Sequence, residues 1–164
     1  MKPPRVGLPS GWRLDITRSW QGMRAADLQR GRRYAVEARD TVTSAPELVR
    51  LSLNMAMAHT DARISYFGER IVYGGHTISM CFAQLTRAMP NLLLPLSWES
   101  CDHLAPVSEG DRLRSEFTVT DHAPVDDTAG GGVMLRICAM TYGAKGEDET
   151  ESPVLDWKFW AWSL

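Results

Sequence analysis

The chain has 164 residues, 44% of them hydrophobic, which suits one domain able to bury its own core. A net charge of −2 and a pI of about 6.1 exclude the broad basic face used to hold nucleic acid, though not a local basic pocket. No run approaches the roughly 18 consecutive apolar residues of a membrane span. The proline-rich start, Met1 to Trp12, has no apolar leader core, so the chain reads as cytoplasmic, with neither membrane nor nucleic acid as partner. Cys81, Cys101 and Cys138 are odd in number and widely spaced, which fits small buried side chains in a reducing compartment.

Residues 1–32 carry scattered proline and glycine and read as a lead-in segment packing on the domain, with one short strand at Arg13–Thr17. The domain itself is expected over 33–164. Arg33–Thr43 holds Tyr34, Val36, Thr41 and Val42 and suits a strand. Ser44-Ala-Pro-Glu47 has the form of a capping box with proline in the first turn, followed by Leu48, Leu51 and Met55 at helical spacing. A helix is expected from Ala45 to Met57. Residues 58–75 read as loop. Ile78, Phe82, Leu85 and Met89 then recur on one helix face, and Met80, Cys81 and Ala83 line the other. The helix His76–Met89 is therefore expected to be buried almost all round and to stop at Pro90.

Four strands are expected next. Leu92–Asp102 is the first. After the turn at Gly110-Asp111, Leu113, Ser115, Phe117 and Val119 alternate with Arg112, Arg114, Glu116 and Thr118, the pattern of a half-buried antiparallel strand. Gly130-Gly-Gly132 opens the third, with Val133, Leu135, Ile137 and Ala139 on one face. Glu147–Glu151 reads as a solvated loop. In Val154–Trp162, Leu155, Trp157, Phe159 and Ala161 oppose Trp160 and Trp162. Two tryptophans on one face require a cover: a second copy, or residues 1–32. One strand, a buried helix and four antiparallel strands make an α+β domain whose sheet wraps the helix.

Four runs add a resemblance. Gly68-Glu-Arg-Ile-Val-Tyr-Gly-Gly-His76 resembles the MaoC-like (R)-specific enoyl-CoA hydratases and dehydratases, whose run ends in Ile-Val-His-Gly. Asn54-Met-Ala-Met-Ala-His59-Thr-Asp61 stands where that family has Asp-x-Asn-Pro-x-His-x-Asp. Leu104-Ala-Pro-Val-Ser-Glu-Gly-Asp111 is similar to its inter-strand turn, and Asp27-Leu-Gln-Arg-Gly-Arg-Arg-Tyr34 to its entry into the first strand. His59, Asp61, Gly74 and Ser79 match the family. Asn54 replaces its catalytic aspartate, Ala56 its asparagine, Met57 its proline and Tyr73 the histidine before its glycine.

The resemblance implies a single hotdog and a site that hydrates an enoyl thioester, carried on coenzyme A or on an acyl carrier. Hydration needs a base for water, a proton at the α-carbon and donors aimed at the thioester oxygen. His59 is the expected base and Asn54 the group orienting water. The backbone at Gly74 and Gly75 would supply the donors, with Tyr73, His76, Ser79 and Asp61 expected around the substrate. A carboxamide is no practical acid or base, so Asn54 leaves open three outcomes: hydration by His59 alone, a substituting role for Asp61, or thioester binding without turnover. A hotdog thioesterase is disfavoured, because no carboxylate stands between Gly74 and Glu99. No histidine has metal-ligand spacing, and no cofactor is expected beyond coenzyme A within the substrate. His103 and His122 read as exposed strand-end residues. Arg63, Arg70 and Arg87 read as solvated, with attraction of the coenzyme A phosphates as the alternative. The expected partner is a second hotdog, as a homodimer or in a different chain.

Overall fold

The computed structural model describes residues 2–5, 20–126 and 131–164. The strand expected at Arg13–Thr17 lies outside these residues, as does Gly130. The elements are β1 (Arg33–Ala35), β2 (Asp40–Thr41), α1 (Ala45–Leu51), α2 (Gly74–Ala88), β3 (Leu92–His103), β4 (Arg112–Pro124), β5 (Val133–Ala144) and β6 (Ser152–Ser163). The strands form one antiparallel sheet in the order β1-β4-β5-β6-β3, with β2 also pairing β4. The sheet curls around α2, the α+β hotdog arrangement.

The alternation in β4 does what a two-residue period requires. Leu113, Ser115, Phe117 and Val119 are buried beneath α2, while Arg114, Glu116 and Thr118 face the other way. Leu135, Ile137 and Ala139 continue that inner layer in β5, and Leu155, Trp157, Phe159 and Ala161 in β6. Helix α2 seats Cys81, Leu85 and Phe82 on it. The Phe82 ring meets Trp157 and Phe159 edge-on at 6.3 and 6.2 Å, and those two stack on each other. Burial is nonetheless one-sided, because Ser79, Ala83 and Arg87 are exposed. The all-round burial expected from Met80, Cys81 and Ala83 fails because the curled sheet reaches only part of the helix circumference.

Other local expectations give way to tertiary contacts. The strand expected across Arg33–Thr43 is broken between β1 and β2. There Arg39 leaves the sheet edge to bind Glu149 at 2.9 Å and Glu151 at 3.0 Å. Glu147–Glu151 is the solvated loop expected, and two of its carboxylates pair with Arg39. The capping box at Ser44 does not form. Ser44 has φ 57° and makes no side-chain cap, and Glu109 accepts the Ala45 amide instead at 3.2 Å. Helix α1 ends at Leu51, not Met57. It buries Ala45, Pro46 and Val49, whereas Leu51 and Met55 are exposed and no packing prolongs the helix.

Trp160 and Trp162 are buried, with Val125, Met134, Leu93, Leu94 and Leu96 packed on their face. Trp162 Nε1 donates to the Gly131 carbonyl at 2.9 Å. Among the described residues, cover comes from the start of β3 and the β4–β5 connection; most of the expected cover in 1–32 lies outside the described residues. Met23, Ala25 and Leu28 pack against the main core. No helix among the described residues is long and apolar enough to cross a membrane.

Candidate functional site

A cavity of about 390 Å³ opens where the start of α2, the segment before it and the end of β3 meet. His59, Gly74, Thr77 and His103 supply its polar wall, and Phe67, Ile71 and Leu104 part of its apolar wall. The parts are pinned by main-chain bonds between distant segments. The Val72 amide donates to the Val107 carbonyl at 2.7 Å, and the Ile71 amide to Ala58 at 3.3 Å.

His59 closes a single 3-10 turn, Met57–His59. Its Nδ1 lies 2.9 Å from the Ile71 carbonyl oxygen. A carbonyl only accepts, so Nδ1 carries the hydrogen and Nε2 is left with its lone pair, the form a general base needs. The Tyr73 ring stands 5.9 Å from the imidazole and also fills the space a Cβ on Gly75 would occupy. Gly74 and Gly75, expected in a loop, form the first turn of α2. Their amides have no intrahelical acceptor and lie at the positive end of the helix dipole. Gly74 and His59 line the same cavity.

Not every expected residue joins them. Asn54 Oδ1 accepts the Ala56 amide at 2.8 Å, which braces the turn leading to His59, and the residue is not on the cavity wall. Asp61 is turned to Arg63, at 2.9 Å. Ser79 Oγ donates to the Gly75 carbonyl at 2.7 Å. His76 faces another hollow, beside Asp40, Met80 and Arg87, where burial lowers its pKa against the opposing pull of Glu109. Arg63, Arg70 and Arg87 are each paired with a carboxylate, Asp61, Glu109 and Asp40 respectively. No cluster of three metal-ligating side chains occurs among the described residues.

Two wall residues went unmarked in the sequence. Thr77 is buried on the first turn of α2. His103 keeps part of its surface exposed, as expected at a strand end, yet its Nε2 edge abuts Gly74. A Cβ on residue 74 would fall 2.5 Å from that nitrogen. Burial lowers the His103 pKa below the usual imidazole value, and the Asp102 carboxylate opposes the shift. Nothing in local periodicity marks this residue, since only the β3–β6 register, with His103 opposite Leu155, turns it inward.

No family model matches the chain. It is 32% identical over 119 residues to mesaconyl-CoA hydratase of Cereibacter sphaeroides, a match covering 68% of this chain and 35% of that protein. A conserved protein of Mycobacterium tuberculosis with a double hotdog fold is 39% identical, with TM-score 0.74, over 94% of this chain and 46% of that one. A MaoC-domain protein from Chloroflexus aurantiacus superposes with TM-score 0.77 at 18% identity, over 99% of this chain and 50% of that one. The chain thus spans about a third of the first and half of each of the others. A relative of this identity over two thirds of the chain, with a shared architecture, shows that the chain belongs to the MaoC-like hydratase and dehydratase family.

Proposed function

We propose that the chain hydrates an enoyl thioester, or dehydrates the corresponding hydroxyacyl thioester, with His59 as the base. The observation that carries this reading is one cavity lined both by His59 and by the start of α2, whose first amides have no intrahelical acceptor. Water adds its oxygen to the β-carbon while its proton passes to His59 Nε2. The π electrons move toward the thioester oxygen, which the Gly74 amide receives. The imidazolium then returns the proton to the α-carbon, so H and OH enter from one side. Asn54 lies off the cavity wall and acts through Oδ1 on the turn that carries His59, in place of the expected role of orienting the water. Coenzyme A enters as part of the substrate.

Crotonyl-CoA and a 2-methyl-branched enoyl-CoA test this directly, through loss of the conjugated thioester absorbance. Turnover should fall by about 10²–10⁴-fold in His59→Ala. The substitution of Asn54 for the family's aspartate favours one second reading, a subunit that binds acyl-CoA without converting it. Binding of crotonyl-CoA with no change in absorbance would establish that reading, and release of free thiol a thioesterase.

The partner is a second hotdog unit that covers the free edge of the sheet at β3. Its support is the double hotdog fold of the Mycobacterium tuberculosis relative, of which this chain spans 46%. Trp98, 51% exposed and packed at 5.3 Å on Trp157, would lie at that junction.

A further inference from the structure

We infer that His103 is a second donor to the thioester oxygen, holding it together with the Gly74 amide; this deepens the hydratase reading and rests on it. His103 ends β3 on the inner face of the sheet, opposite Leu155. Its Nε2 edge comes so near Gly74 that a Cβ there would overlap the ring, with three ring atoms within 3.2 Å of it. Gly74 is the first residue of α2, where the amide hydrogen has no partner in the helix. The imidazole edge of His103 and the main chain of Gly74 therefore lie side by side on a wall that His59 also lines.

That arrangement answers a chemical need. As water's oxygen bonds to the β-carbon and its proton goes to His59, the π pair leaves a negative oxygen on the thioester. The same proton then passes from the His59 imidazolium to the α-carbon. His59 carries the proton through both steps and is not available to neutralise the oxygen, and residue 54 offers only an amide. Neutral His103 donates from Nε2 and keeps its proton throughout, so atoms and electrons balance without a further reactant. Burial favours this neutral form. A donor placed where charge develops acts most strongly in the transition state, which places its effect on kcat.

The experiment uses His103→Ala and His103→Gln with crotonyl-CoA, and vibrational difference spectra of bound butyryl-CoA, which has no double bond to hydrate. His103→Ala should lower kcat by about 10²–10³-fold. KM should change by less than about threefold. His103→Gln, whose amide can donate, should recover part of the loss. The butyryl carbonyl stretch should drop on binding to the native protein and drop less with His103→Ala. An unchanged kcat or a carbonyl shift indifferent to residue 103 would each overturn the inference. The two readings fail separately. A His103-dependent carbonyl shift without hydration sinks the hydratase and leaves the donor standing. Hydration with a shift that ignores His103 does the reverse.

Discussion

An alanine methyl at position 74 would stand 2.5 Å from His103 Nε2 and 2.9 Å from its Cε1. Residue 74 is helical, so alanine suits its backbone, and the imidazole can swing aside at little cost to the fold. Gly74→Ala should therefore leave the melting temperature within a few degrees of the native value. It should cut turnover of crotonyl-CoA by about 10²-fold by displacing a site group. Equal losses of stability and activity would show that the glycine serves packing instead. His59 illustrates a different division of labour. Its residue type and family match were readable beforehand, whereas its tautomer is set by Ile71, a neighbour across the turn.

The outer face of the sheet carries arginine–carboxylate pairs that run along a strand or reach across one. Arg136 on β5 binds Glu99 on β3, with Nε 2.9 Å from Oε1. Arg114 on β4 joins Glu116 at 2.8 Å and Glu151 at 2.7 Å. Hydrogen bonding from Arg136 holds the Glu99 carboxyl below its usual range, against burial. Arg114 does the same for Glu151. A carboxylate so depressed binds fewer protons folded than unfolded. Its stabilisation is complete above about pH 5 and is lost as pH falls toward the folded value. Arg136→Met should thus destabilise the protein at pH 7, with the difference from native shrinking below about pH 4. Denaturant midpoints across that range measure it, and a difference independent of pH would refute the assignment. In β3, Pro95 is a sequence sign of an edge strand, since it has no hydrogen to give a neighbour on both sides. The observed order places β3 at the edge.

That edge carries the assembly proposal. With Pro95 lacking a donor and three register irregularities along β3, side chains rather than a continuous ladder should supply most of the contact. Sedimentation should give about twice the 18.3 kDa chain mass if a second copy is the partner. Trp98→Lys should shift the protein to the monomer while far-ultraviolet circular dichroism stays native. A native monomer indifferent to Trp98→Lys would instead require another chain or a different surface.

Residue type and period two determined β4, β5 and β6, because a sheet with one covered face imposes alternation that survives in any single strand. They also determined α2, whose apolar residues recur each turn. The order of these elements and the four runs at 27–34, 54–61, 68–76 and 104–111 together pointed to the fold and family. Tertiary structure decided the rest. The acceptor for the Ala45 amide, the break at Arg39 and the approach of His103 to Gly74 all depend on residues far away in the chain. Windows of sequence record what a segment can bury locally, and they hold no distance between segments. The candidate site lies where three such segments meet, so its composition followed from the register and the curl of the sheet.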